Sequence, residues 1–439
     1  MNRICRAAIP ILIAANVAAC ATGGHAPGRT EIGEELKART GATIRHEPGT
    51  PSLPPGTSLD DGLTADEAVA IALWNSPAFE ASLSDLGLAR ADVVEAGLLR
   101  NPVLSVLFPV GPKQLEWTLQ FPVEVLWQRP KRVAMATANA QAVGQRLVSD
   151  GLRLVADVRQ AFADAVGADA RLSLASENAT LAGRIAGIAD ARLRAGDISE
   201  LEARAARSDA AQVQATVSVL EHEKDLAQVT LLSRMGLDPA PRTLSLTTAA
   251  DLPACPSAGA LVEEALASRP DVRAAEIAIE AAGQRAKWER SRILTLMASL
   301  DANAEGKEGY EMGPGIVAEL PVLSWNQGGV SRAVAEVERA SRAYLALRAD
   351  VAAQVRHAAI RLDQSRQALD IWSKEIVPAL GLEQKQAERA YEAGEVPLLS
   401  LLDVGRRLVQ ARIRALDAGI ELRRAVIGVE RNVGRSCQQ

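Results

Sequence analysis

Along most of the chain apolar residues recur every three or four positions; in a few short stretches they recur every second one. The first rhythm is that of an amphipathic helix, the second that of a half-buried strand. The helical rhythm is longest in Leu154, Val158, Ala161, Ala165, Ala168, Leu172, Ala175, Ala179, Ala182, Ala186, Ala189 and Leu193. It returns in Val404, Leu408, Ala411, Ala415, Ala418, Leu422, Ala425 and Val429. Steps alternating between four and three make a 3.5-residue repeat, whose small seam lets helices pack side by side at close approach. The pattern predicts long helices over 124–194 and 325–392. Each of about 65 residues would extend ~100 Å.

Strict alternation marks Glu116-Trp117-Thr118-Leu119-Gln120-Phe121, with Val103 to Phe108 as its partner strand across a turn holding Pro109, Gly111 and Pro112. A second ribbon places Leu296, Ala298, Leu300, Ala302 and Ala304 on one face, turns over Glu305 to Tyr310, and returns through Ile316, Ala318 and Leu320. Two hairpins are predicted, over 102–123 and 294–322. Phe108, Trp117, Phe121, Trp127, Tyr310 and Trp325 lie at or beside them. In a chain with only 3% aromatics, such a concentration suits an interfacial belt around a membrane sheet better than plain strand propensity.

The two ribbons belong to an internal duplication. Ala195-Gly196-Asp197-Ile198 recurs as Ala393-Gly394-Glu395-Val396. In each copy a Gly able to turn left-handed ends one helix, and Ser199 with Glu202, or Pro397, starts the next. Met235-Gly236 matches Val433-Gly434, and Gln120-Phe121-Pro122-Val123 matches Glu319-Leu320-Pro321-Val322. Trp127-Gln128 matches Trp325-Asn326-Gln327. The organisation predicted is a signal peptide over 1–19, a linker or arm over 20–60, a first repeat over 61–236, a helix-free crossover over 237–258, a second repeat over 259–434 and a tail over 435–439. Within the first repeat, a capping box at Thr64 and Glu67 opens one helix that runs to about Leu99.

Arg3 and Arg6 precede an apolar run too short to span a bilayer, which ends in Val17-Ala18-Ala19-Cys20. Small residues before a Cys suit a lipoprotein signal peptidase, so Cys20 is expected to carry covalent lipid. Cys255 and Cys437 remain in an oxidising compartment, where either a disulfide or two separate thiols is open; separate thiols are favoured. The four His and five Met show no metal-ligand spacing, and no cofactor is expected. There is no phosphate loop and no nucleophile elbow, so an enzyme is not indicated. The net charge of -5 and the lack of a basic, aromatic-studded cluster argue against a nucleic-acid partner.

Open hairpins cannot cross a membrane alone, because their edges leave backbone groups unpaired in hydrocarbon. The order of helix, hairpin, long helix, Gly turn and helix, twice over, resembles the TolC-type outer-membrane efflux family. Local matches are Leu63-Thr64-x-x-Glu67-Ala68, Ala96-Gly97-Leu98-Leu99-Arg100-Asn101-Pro102, and Tyr391-x-x-Gly394 leading to Leu401-Leu402. The resemblance implies a mainly α fold with a small β part. Four strands per chain would enter a twelve-stranded outer-membrane barrel in a homotrimer, with a periplasmic α-barrel as the exit duct of a tripartite pump for small molecules or metal ions. It also implies partners: an adaptor, an inner-membrane pump of the resistance-nodulation-division type, and outer-membrane lipid. By the same resemblance, Gly196 and Gly394 mark a closable tip ringed by acids at Glu202 and Asp403. Ser400 and Val396 depart from the family there. The alternatives are a periplasmic lipoprotein adaptor or a structural coiled-coil component.

Overall fold

The computed structural model describes residues 24–45, 47, 49–59, 62–108, 110, 113–238, 244–247, 255–305, 309–435 and 437. The expected signal peptide and Cys20 lie outside them. The elements in order are α1 (Arg29–Thr40), α2 (Ala65–Asn75), α3 (Pro77–Leu83), α4 (Asp85–Gly97), β1 (Val103–Leu107), β2 (Lys113–Pro122), α5 (Val125–Ala195) and α6 (Glu200–Arg234). Then follow α7 (Ala258–Ser268), α8 (Pro270–Ser291), β3 (Thr295–Glu305), β4 (Gly309–Glu319), α9 (Gln327–Asp370), a π-helical segment (Ile371–Ile376), α10 (Val377–Glu392) and α11 (Leu398–Val433).

The chain folds into two compact units, and both repeats contribute to each. One unit comprises the described residues of 24–32, 81–148 and 270–349 and holds a four-stranded antiparallel sheet in the order β1-β2-β3-β4. Pairing of β2 with β3 joins the two hairpins, with Trp117 opposite Ala302, Leu119 opposite Leu300 and Phe121 opposite Ala298. Directly opposed residues share a face, so the register sorts most side chains by polarity. One face carries Leu104 and Val106, then Trp117, Leu119 and Phe121, then Ala298, Leu300 and Ala302, then Met312, Pro314 and Ile316. The other carries Ser105, Glu116, Thr118, Gln120, Ser299, Asp301 and Asn303 with Gly313 and Gly315, and toward the strand ends Val103, Leu107, Met297 and Val317. Beside the sheet, α4 packs on α5 through Ala89, Val93, Ala96, Ala136 and Ala140, and α5 packs on α8 through Ala138, Ala142, Ile277 and Ala281. These contacts are almost all alanine, as the small-residue seam requires.

The other unit comprises the described residues of 33–80, 149–269 and 350–437. Here the seam residues of α5 and α11 named above are all buried or half-buried. Beside the seam runs a ladder of ion pairs at heptad intervals. Asp157 meets Arg431 at 3.0 Å, Asp164 meets Arg424 at 2.7 Å and Arg171 meets Asp417 at 2.8 Å. Cys255 and Cys437 are joined by a disulfide, so the expectation of separate thiols is corrected. The crossover end before α7 is thereby held to the chain end after α11. Around the bond, the Cys437 amide donates to Glu430 at 3.0 Å and Arg435 pairs with Glu264. The sequence places the two cysteines at equivalent repeat positions but carries no signal of their distance.

Two further expectations are corrected, and the arm gains a helix. The single helix expected from Thr64 to Leu99 is three helices. Pro77 has no amide to continue the α2 ladder, and the Asn75 side chain turns back to the Ile71 carbonyl at 3.1 Å. After α3, the Ser84 amide bonds to the Ala81 carbonyl and the Gly87 amide to the Ser84 carbonyl, a tightened turn that resets the helix phase. The arm at 20–60 contains α1, whose Ile32 and Leu36 are both buried. Leu36 seats where Gly151 leaves room, since a Cβ there would lie 2.8 Å from its methyl carbons. The second long helix is interrupted by the π segment just before Pro378. Lacking an amide hydrogen, Pro378 cannot bond to residue 374, and the preceding Val377 amide reaches back five residues to the Trp372 carbonyl.

Candidate functional site

The helix turns are built as their sequence dictates. Gly196 and Gly394 adopt φ of +81° and +78°, in the left-handed region that only Gly enters without strain. At the first turn the Asp197 amide bonds to the Arg192 carbonyl at 2.9 Å, and at the second the Glu395 amide bonds to the Ala390 carbonyl at 2.8 Å. Both are six-to-one closures of the Schellman type. The Ser199 hydroxyl and amide each meet the Glu202 carboxylate at 2.9 Å, and the Glu202 amide donates back to the hydroxyl. The second turn restarts at Pro397, which serves as the N-cap of α11 with ψ of 155°.

The two turns are brought together. Ala189 of α5, Ala206 of α6 and Leu402 of α11 form a buried cluster, against which Ile185, Ile198, Tyr391 and Leu401 pack. Arg192 lies over the Tyr391 ring at 4.5 Å from its centroid and also donates to the Tyr391 hydroxyl. Ion pairs tie the same helices: Arg207 to Asp190 at 2.7 Å, Arg406 to Asp209 at 2.6 Å, and Arg407 to both Glu383 at 2.7 Å and Asp403 at 3.2 Å.

Of the predicted gate residues, Gly196 and Gly394 shape the turns. Glu202 is bent back into its own cap, and the hydrogen bonds from Ser199 hold its carboxyl below the usual carboxylate range. Asp403 is exposed and faces Arg407 one turn on. Arg192 was not singled out from the sequence. Its position four residues before Gly196, one helical turn from the reversal, is the signal that could have found it.

The sheet supplies the second half of the site. Its apolar face is open rather than packed: Leu104, Val106, Phe121, Met312 and Ile316 are all exposed in the single chain. Phe108 stands at the hairpin-tip end, while Trp127 and Trp325 stand at the helix end. The Tyr310 side chain and the tip at 306–308 lie outside the described residues. Among the described residues no helix is long and apolar enough to cross a membrane, and no His, Cys, Asp and Glu grouping could hold a metal.

Residues 261–435 match the family described as outer membrane efflux protein. The chain is 26% identical to the cobalt-zinc-cadmium resistance protein CzcC of Cupriavidus metallidurans over 380 residues, covering 85% of this chain and 90% of the relative. It is 28% identical to the pyoverdine export outer membrane protein OpmQ of Pseudomonas putida over 317 residues, covering 67% of this chain and 66% of the relative. Among solved structures, the outer-membrane channel OprN superposes with a TM-score of 0.73 at 20% identity, covering 85% of this chain and 91% of the other. The chain thus shares the fold of that channel.

Proposed function

We infer that this protein is the outer-membrane exit duct of a tripartite efflux pump, acting with a periplasmic adaptor and an inner-membrane transporter. The observation that carries the reading is the two-faced sheet with two free edges. Its apolar face suits lipid, its polar face of Glu116, Asp301 and Asn303 suits a water-filled lumen, and β1 and β4 each leave a row of backbone groups to pair. A second copy supplies the missing partner for each edge. Three copies close a twelve-stranded barrel, a size that leaves an aqueous passage. The helical part reaches into the periplasm, and acylation of Cys20 would hold the N-terminus to the membrane.

The helix turns serve as the closable periplasmic end, with Glu202 and Asp403 facing the passage. The pump partner is of the resistance-nodulation-division type, and the cargo is a metal ion or a small organic molecule, the classes named by the two relatives. An adaptor or a purely structural coiled coil would leave the sheet without a use.

Light scattering of the detergent-solubilised protein and planar-bilayer recording test this reading. Particles of three chains and discrete cation-conducting steps are expected. A monomer that conducts nothing and keeps the apolar sheet face out of lipid overturns it.

A further inference from the structure

The two repeats handle the junction between helix and sheet differently, and the duplication provides its own control. Arg292 stands three residues before β3 begins, and Arg100 stands three residues before β1 begins. In the second repeat Arg292 is neutralised by Glu289 at 3.2 Å, a carboxylate that also accepts from the Asn326 side-chain amide at 2.8 Å. Glu289 lies six residues before β3. The residue six before β1 is Gly97, where a Cβ would meet nothing within 4 Å. The acid is missing and its space is empty.

In its place the first repeat gathers more positive charge. Arg129 donates to the Gly97 carbonyl at 2.7 Å, and Arg132 donates to the carbonyls of Ala96 at 2.9 Å and Leu98 at 2.6 Å. Burial and the fields of Arg100 and Arg129 both disfavour the charge on Arg132, against one nearby carboxylate, Glu95. The C-terminal end of α4 offsets part of this charge through its dipole. Arg100 itself is exposed and makes no hydrogen bond or ion pair among the described residues. Leu98 and Leu99 beside Arg100, and Leu126 one turn before Arg129, are exposed, as is Leu104 on the apolar face of the sheet.

We propose that Arg100, Arg129 and Arg132 seat the phosphate of an anionic phospholipid at the helix end of the sheet. The proposal rests on the reading of the sheet as membrane-spanning. The helices attach at this end, so the leaflet facing the periplasm supplies the lipid. Its acyl chains would lie along Leu98, Leu126 and Leu104, and its phosphate would occupy the position that the Glu289 carboxylate takes in the other repeat. A guanidinium fork suits phosphate geometry, and a zwitterionic headgroup offers less net charge to the same site.

The test uses the full protein reconstituted in vesicles of phosphatidylethanolamine with a minor share of phosphatidylglycerol, followed by native mass spectrometry of the lipid that stays bound. Two positions are chosen because Arg100 makes no hydrogen bond among the described residues and a Cβ at Gly97 would meet nothing within 4 Å. Phosphatidylglycerol should be retained over phosphatidylethanolamine by the unaltered protein. Retention should fall about fivefold in Arg100→Gln, the equivalent of one surface charge, and the preference should vanish in Gly97→Glu, which restores the missing acid. Arg100→Lys should keep most of it. Equal retention of the two lipids by the unaltered protein, or an undiminished preference in both variants, overturns the site. Conductance of the unaltered protein in the same vesicles reports separately on the channel reading: a conducting protein without lipid preference sinks only the lipid site.

Discussion

Arg171 of α5 pairs with Asp417 of α11 at 2.8 Å, with the charges reversed relative to the two rungs before it, Asp157 with Arg431 and Asp164 with Arg424. An alanine seam repeats too uniformly to define one register, because a slip of seven residues replaces one small side chain by another. The reversed rung makes such a slip costly. Moved one heptad either way, it sets Asp164 against Asp417 or Arg171 against Arg424.

The swap Arg171→Asp with Asp417→Arg should therefore restore pairing that either single change breaks. Each single variant should lose about 0.5–1 kcal/mol, the range for half-exposed pairs. The double variant should regain stability but lose protection against a slip, since all three rungs would then share one polarity. Denaturant unfolding checks the first outcome, and cysteine crosslinking between the two helices checks the second.

Arg192 and Tyr391 latch the first repeat to the second near the turns. Tyr391→Phe keeps the ring and removes the hydroxyl, a loss of about 1 kcal/mol, and Arg192→Ala removes the cation–π contact as well. If the turns form the gate, open probability in bilayer recordings should rise several-fold in Tyr391→Phe and further in Arg192→Ala. Closed behaviour unchanged in both would remove the latch from the gating account.

The Glu202 carboxyl titrates below its ordinary value near 4.5 because Ser199 hydrogen-bonds its charged form. A depressed carboxylate contributes above its unfolded pKa, and that contribution is lost as pH falls through the lower folded value. Any block of the channel by divalent cations that depends on Glu202 should thus persist below pH 4.5 and fade only in stronger acid. In Ser199→Ala the fading should move up toward the ordinary value.

Gly236 and Gly196 separate strain from collision. Both are left-handed, at φ +70° and +81°. At Gly196 a Cβ meets nothing within 4 Å, whereas at Gly236 it would lie 2.6 Å from the Asn75 carbonyl oxygen. Gly196→Ala should cost about 1–2 kcal/mol, the price of the backbone alone. Gly236→Ala should cost clearly more, as measured by the drop in melting temperature.

Removing the Cys255–Cys437 bond should cost about 5 kcal/mol on the loop-entropy relation, given a sequence separation of 182. Cys255→Ser should slow the mobility of the protein on non-reducing gels and lower its unfolding midpoint. Identical behaviour with and without reductant would deny the bond in the native protein.

Much of this fold could be read from period alone. The strand alternation at Glu116 to Phe121 and the four-three step from Leu154 to Leu193 are local patterns that burial enforces directly, and the left-handed Gly196 and Gly394 follow from turn chemistry. The breaks around Pro77 and Ser84 were not read, because apolar spacing continues across them while the hydrogen-bond ladder does not. Helix α1 was hidden among Gly and Pro residues, its only sign being Ile32 and Leu36 four apart. At the turns, residue types pointed to Glu202 and Asp403. The latch between Arg192 and Tyr391 joins residues 199 apart in sequence, and no local pattern announces such a pair.

The free edges of β1 and β4 also bear on inheritance. If three subunits complete one another's strands, a single misshapen copy spoils the ring it enters, whatever the quality of its neighbours. With equal amounts of sound and defective chains mixing at random, only about one ring in eight would be wholly sound. A fault in the sheet would then silence the healthy gene product too, whereas a fault that prevents the chain from folding would be harmlessly diluted.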